Sequence, residues 1–321
     1  MKKGVIYVVL FLTLLFLLSC KPRPPAGENP EDTSTILKQV HSGTEGIKLT
    51  PLANFPPNTL YDTNEFVAIV EIQNKGAHNL NPQDCFLQIT GFDRNIITGD
   101  VDQPRSCAER LNILEGKNVY NVDGGINQIE FFSSNIDLPD DVFEYNPTLN
   151  FVACYAYQTI SNPSVCVDPL RYQVSSEQKA CDYRRSVITE GTQGAPVAVR
   201  SVRADMVTGR GRSRAVFEID VANAGNGQVL STETDIRNCA AERFNYADLN
   251  KIAYHVQLSG GSLVNCNPAD GFVRLNNGRG KIVCTFDIAE AAAFETPLLV
   301  TLDYNYIESF RKPIRIIQTP Q

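Results

Sequence analysis

The sequence of 321 residues contains no tryptophan, two methionines and three histidines. The histidines, His41, His78 and His255, lie far apart, none beside a cysteine, and no Cys-x₂-Cys pair occurs. Structural zinc sites are built from such short spacings, so neither a metal nor a cofactor is expected. There is no His-Glu-x-x-His, no Gly-x-Ser-x-Gly and no phosphate-cradling glycine loop ending in Lys-Ser/Thr, so the expectation is a non-enzyme. The net charge is −7, which excludes a broadly basic nucleic-acid surface. The one dense basic stretch, GRGRSR (209–214), has no interleaved aromatics for base stacking and reads as a hairpin loop before a strand. Both Asn-x-Ser/Thr positions, Asn146 and Asn162, are followed by proline, which removes N-glycosylation. The carboxylate clusters DLPDD (137–141) and YDTNE (61–65) lack the spacing of a calcium loop and read as solvated turns.

What is present begins at the N-terminus. Lys2 and Lys3 precede a 14-residue apolar run, 5–18. A membrane-crossing helix needs roughly 20 such residues, so the run reads as an export signal. It ends in Leu17-Leu18-Ser19-Cys20, which resembles the lipobox of prokaryotic lipoproteins. That resemblance implies cleavage before Cys20 and a lipid on its thiol, placing the chain at the outer face of the cell membrane. Each buried lipid CH₂ contributes about 0.8 kcal/mol, so two or more acyl chains hold a soluble head at a bilayer. The next segment, KPRPPAGENPEDTST (21–35), is rich in proline and charge and reads as an extended tether running to residue 41. Residues 36–40 read as a short helical turn.

From residue 42 the pattern is all-β. Alternating runs occur at 65–74, 85–92, 127–132, 149–158 and 165–168, then at 197–206, 215–223, 252–258, 280–286, 298–306 and 314–317, separated by Gly, Pro, Asn and Asp. Such a succession predicts a sandwich or barrel. NYADLN (245–250) and AEAAAFE (289–295) each read as one or two helical turns. The two series are related: VEIQNKG (70–76) matches IDVANAG (219–225), and CYAY (154–157) matches DYNY (303–306), both at an offset of 149. The chain therefore reads as two copies of one domain, 42–189 and 190–321. Asn74, Gly76, Tyr155 and Tyr157 correspond to Asn223, Gly225, Tyr304 and Tyr306. Glycine permits the positive φ of a sharp turn at the end of the first motif. In the second motif a tyrosine hydroxyl can pin a neighbouring backbone, as in a tyrosine corner; an exposed aromatic platform is the functional alternative.

The strand end Val/Ile-x-Val/Ile-x-Asn-x-Gly resembles the CARDB-type and related immunoglobulin-like domains of prokaryotic surface proteins. GTEGIKL…PPNTLYDTNEFVAIVEIQNKGA and GAPVAV resemble secreted proteins of archaea, over most of residues 43–318. The resemblance implies two tandem immunoglobulin-like β-sandwich domains in a cell-surface setting. It implies no catalytic motif.

Eight cysteines remain besides Cys20, an even number that favours disulfides in an exported chain. Cys154 and Cys166 lie symmetrically about residue 160, so a hairpin there would pair them. Cys266 and Cys284 flank a second hairpin-like stretch. Cys85 pairs with Cys107 as the nearest remaining couple, which leaves Cys181 with Cys239. For function, the sequence supports a lipid-anchored binding, adhesion or envelope-assembly protein. Its expected partners are the membrane, through the lipid, and a protein or glycan at the cell surface, with no nucleic acid. A substrate- or glycan-capture lipoprotein, a spacer, and an envelope hydrolase with a spatially assembled site stay open. The insertion at about 93–125, with LEGKNVYNVDGG, is the first place to look for a recognition loop.

Overall fold

The computed structural model describes residues 33–171, 178–184, 186–189, 193–209, 212–240, 243–289 and 292–320. The signal segment, Cys20 and the tether to residue 32 lie outside the described residues. The chain divides into two compact units, 1–36 and 37–321. Of the first, only the opening residues of helix α1 (Thr33–Val40) are described.

The second unit is all-β. Its strands are β1 (Ile47–Pro51), β2 (Thr59–Tyr61), β3 (Phe66–Asn74), β4 (Cys85–Thr90), β5 (Arg105–Ser106), β6 (Ile126–Ser133), β7 (Glu144–Tyr145), β8 (Thr148–Ser161), β9 (Ser164–Val167) and β10 (Ser186–Ile188). They continue as β11 (Val197–Gly209), β12 (Arg212–Asn223), β13 (Gln228–Leu230), β14 (Lys251–Leu258), β15 (Gly261–Asn267), β16 (Phe272–Arg274), β17 (Arg279–Ile288), β18 (Phe294–Pro313) and β19 (Arg315–Ile317). β3 shows why they form: every second residue, Phe66, Ala68, Val70, Ile72 and Asn74, is buried, the period-two pattern of a strand with one face on a core.

Among the described residues four sheets result: β1-β3-β6, β10-β11-β12-β17-β15, β2-β19-β7, and an eight-stranded sheet on the path β16-β14-β18-β8-β4-β5, to which β9 and β13 add. The last is continuous across the two series because β8 pairs antiparallel with β18 over fourteen residues, Thr148↔Pro313 to Ser161↔Val300. Both series also share one hydrophobic core, from Ile47 and Phe66 to Phe217, Phe286 and Ile316.

The Tyr-x-Tyr pairs meet at the centre of this seam. Tyr155 lies opposite Tyr306 and Tyr157 opposite Tyr304, with Ala156 facing Asn305 between them. Matching strands paired antiparallel are related by a local twofold through that central pair. All four rings are buried and touch in tilted and edge-on pairs, Tyr155 to Tyr306 at 5.7 Å and Tyr157 to Tyr304 at 6.4 Å between centroids. Burial leaves none of them available as a ligand platform.

Each hydroxyl has a backbone to pin. Tyr157 Oη donates to Asn74 Oδ1 (3.2 Å) and accepts from His78 N (3.3 Å), while Asn74 Nδ2 donates to His78 O (2.7 Å). The same triangle recurs 149 residues on. Tyr306 Oη donates to Asn223 Oδ1 (3.0 Å) and accepts from Gly227 N (2.9 Å), and Asn223 Nδ2 donates to Gly227 O (2.9 Å). Tyr155 and Tyr304 accept from the first strands of their series, from Ile47 N (3.2 Å) and Val197 N (3.3 Å).

The glycines need a different explanation from the expected one. Gly76 and Gly225 are not among the residues of positive φ. A Cβ on Gly76 would sit 1.9 Å from Tyr157 Oη, and one on Gly225 would sit 2.6 Å from Tyr306 Oη. They are glycine because the tyrosine passes against bare backbone.

The disulfides are Cys85–Cys107, Cys266–Cys284, Cys154–Cys239 and Cys166–Cys181, with Cα separations of 5.3, 4.1, 6.4 and 5.8 Å. The expected pairs Cys154–Cys166 and Cys181–Cys239 are thus corrected by an exchange of partners. The chain does not turn at residue 160. β8 and β9 both pair with β18, Ser161↔Val300 and then Ser164↔Pro297, so Asn162 and Pro163 interrupt one extended line. Twelve residues along such a line separate Cys154 from Cys166 by about 40 Å, beyond any disulfide. Cys154 instead bonds Cys239 in a small apolar cluster with Val152, Ile236, Phe244 and Ile307. Val152 and Cys154 alternate with the core-facing Phe151, Ala153 and Tyr155, so this cluster covers the opposite face of the seam. Two helical expectations also change. NYADLN forms turns whose Tyr246 and Leu249 carbonyls accept from Arg274. The end of AEAAAFE opens β18, and its residues 290 and 291 lie outside the described residues.

Candidate functional site

A half-open groove of about 1000 Å³ lies beside β9 and β10. Its floor is the interrupted line of β8 and β9, from Ile160 through Asn162 and Pro163 to Cys166. Its far wall is Val187 and Ile188 of β10 with Thr189, and its rim is Leu37, Lys38 and His41 at the end of α1. Cys181, Asp182 and Arg184 close one side.

The wall is fastened locally. The Cys166–Cys181 bond ties β9 to the segment that returns toward β10. Lys179 Nζ lies 2.5 Å from the buried Asp168 carboxylate. Arg171 stacks over the Tyr183 ring at 4.0 Å and bonds Asp205 at 2.8 Å, and Tyr183 Oη donates to Ala204 O. Thr189 Oγ1 donates to Val199 O, and Gln193 Oε1 accepts from Val199 N at 2.9 Å. This network holds β10 on β11 at the end of its sheet.

The groove is apolar at its exposed positions and charged at its edge. Ile188 is 78% exposed and Ile160 52%; side chains this open on a concave surface suit an apolar ligand group. Lys38 and Arg184 supply positive charge and Asp182 and Glu295 negative. Ser164 Oγ donates to Glu295 Oε1 at 2.7 Å. Among the described residues of the lining there is no Phe, Tyr or Trp, and His41 supplies an imidazole at the rim.

Displaced ionisations sit away from the groove. Burial pushes the hydroxyls of Tyr155, Tyr157 and Tyr304 well above the ordinary tyrosine value, and Tyr306 up to about 12. Burial lowers His78, whose ring stands edge-on to Tyr157 at 5.3 Å. Burial also raises Glu308, with Glu45 adding a like charge. These groups belong to the seam. Perturbed ionisation is a pointer to chemistry only where a cleft admits substrate.

The other sequence-marked positions are dispersed. Lys117, in the 93–125 insertion, donates to Gln39 O (3.2 Å) and Ser42 O (2.5 Å) and so holds the turn after α1. Burial beside Lys75 lowers its ammonium. Tyr120, in the same insertion, is almost fully exposed. Asp62 of YDTNE accepts from Thr319 N and Oγ1, which lowers its carboxyl. His255 lies 2.7 Å from Gln257 through Nε2 on an exposed strand face. Around GRGRSR the β11–β12 register runs to Gly209↔Arg212, and 210–211 lie outside the described residues. Among the described residues no three His, Cys, Asp or Glu side chains gather to hold a metal ion, and no helix is long and apolar enough to cross a membrane.

No family model matches the chain, and no curated protein matches it. Among solved structures, the secreted serine protease VesC from Vibrio cholerae aligns at a TM-score of 0.19 with 10% identity, over 86% of this chain and 52% of that one. The chain thus spans about half of that protein's length, and a score this low bears on neither fold nor activity.

Proposed function

We propose that the protein is a lipid-anchored, non-enzymatic surface protein that binds or assembles partners at the outer face of a prokaryotic cell membrane. In this reading its head is two copies of an immunoglobulin-like domain. The cysteine count carries the reading. The four disulfides consume eight of the nine cysteines, so Cys20, at the end of an apolar export run, has no partner cysteine left in the chain. Four disulfides are themselves compatible with an oxidising, exported setting. The hydroxyl triangles repeated at an offset of 149 support the two-copy reading of the head. Within it, the groove beside β10 is the place for a ligand, with apolar floor positions and both signs of charge at its rim.

The test is location. The wild-type chain is expected in the membrane fraction, labelled by a lipid precursor, with a mature N-terminus at Cys20. The Cys20→Ser chain is expected unprocessed or released, with no label. A Cys20→Ser chain that is processed normally and stays membrane-bound overturns the anchor.

A further inference from the structure

A strand at the end of a sheet presents every second N–H and C=O to whatever lies beside it. Proteins blunt such edges with short strands, prolines, lysines or bulges. Nearly all sheet-terminal strands here follow that rule. β2, β5, β7, β10 and β16 have two or three residues. β1 carries Lys48 and ends on Pro51. β15 is broken by a register shift between Leu263 and Asn265.

β6 is the exception. It ends the sheet β1-β3-β6, runs for eight residues and pairs with β3 in unbroken register. Its sequence, INQIEFFS, has no Lys, Arg, Pro or Gly. Among the described residues its backbone makes no hydrogen bond beyond the ladder to β3. Ile129 and Phe131 are buried, while Ile126, Gln128, Glu130 and Phe132 face solvent; Ile126 is 52% exposed and Phe132 48%.

The outward pattern is self-complementary. Two copies of β6 laid antiparallel and centred on Ile129 set Ile126 opposite Phe132 of the other copy, and Gln128 opposite Glu130. Directly opposed side chains share a face of the joined sheet. The neighbouring centres are worse: one on Glu130 opposes two carboxylates, and one on Gln128 sets Ile126 against Glu130. We infer that β6 is a homodimer edge, pairing with β6 of a second copy about Ile129 to join two three-stranded sheets into one of six. The interface is isologous, so it closes at the dimer.

Sedimentation of the purified full chain over a concentration series tests this. A reversible monomer–dimer equilibrium is expected. Ile126→Lys with Phe132→Lys should weaken it by at least about tenfold, by placing lysines against each other on the exposed face. Both positions face solvent, so the melting temperature reports that the variant still folds. Gln128→Lys gives the register, because in the pairing centred on Ile129 it meets Glu130 twice and should tighten the dimer about 2- to 30-fold. A wild-type chain that stays monomeric up to about 1 mM overturns the inference. So does a dimer indifferent to the lysine pair, or one that Gln128→Lys weakens.

Discussion

Raising the pH attacks the seam through its four hydroxyls. Tyr155, Tyr157, Tyr304 and Tyr306 hold folded-state values above the ordinary value of about 10, Tyr306 at about 12 and the others well above 10, chiefly because burial penalises the phenolate. In the unfolded chain they titrate at about 10. Stability from these groups is therefore complete below pH 10 and is lost as pH rises toward the folded values. At pH 11 each tyrosine favours the unfolded state by about 1.4 kcal/mol, and four of them by roughly 6 kcal/mol. A domain holds about 5–15 kcal/mol in total, so the fold should collapse cooperatively between about pH 11 and 12. Tyrosinate absorbance and near-ultraviolet circular dichroism, followed together, check this. Of the twelve tyrosines of the full sequence, eleven of which follow Cys20, four should ionise only as the dichroism is lost. If every tyrosine titrates in one reversible step near pH 10 while the dichroism persists, the seam is hydrated and the reasoning fails.

Other consequences follow from the same contacts. Tyr157→Phe and Tyr306→Phe each remove two hydrogen bonds, at a cost of roughly 1–3 kcal/mol, and the two should agree closely; denaturant midpoints would show a lopsided pair. Gly225→Ala drives a methyl to 2.6 Å from Tyr306 Oη and should cost about 1–3 kcal/mol, a loss that Tyr306→Phe in the same chain partly relieves. Non-reducing peptide mapping should return one fragment joining Cys154 to Cys239 and another joining Cys166 to Cys181, and a fragment joining Cys154 to Cys166 would contradict the strand path.

Which parts of this could be read from sequence depends on how far away the deciding partner lies. The strands around Asn74, Asn223, Tyr157 and Tyr306 were legible because alternation is local and the hydroxyl triangle uses the same spacing in both series. The glycine after each Asn-x was legible as a requirement and misread as to cause. A turn needing positive φ and a backbone crossed by a tyrosine both select glycine, and only the position of Tyr157 or Tyr306 tells them apart. The groove was barely legible, because α1, β9 and β10 meet there from separate stretches of chain. Its one faint signal was Cys166 and Cys181 bracketing a polar segment.

The misplaced hairpin has the same origin. Asn162-Pro163 between two apolar runs is good turn chemistry, and two cysteines equidistant from it make the turn look stapled. What decides the matter is β18, more than 130 residues later. Its twenty residues are long enough to pair with β8 and β9 end to end, and Leu298 N donates to Pro163 O across the interruption at 3.0 Å. Proline removes a donor from the ladder but keeps its carbonyl, so an extended line can pass through Pro163 when a partner supplies the N–H. The same long partner frees Cys154 for the loop at Cys239 and Cys166 for Cys181. One covalent bond therefore lands on the rear face of the seam and the other beside the groove. The connectivity of the cysteines is thus a consequence of strand length in the second series, and shortening β18 at its Phe294–Pro297 end, where β9 docks, should loosen the groove floor while leaving the tyrosine seam intact.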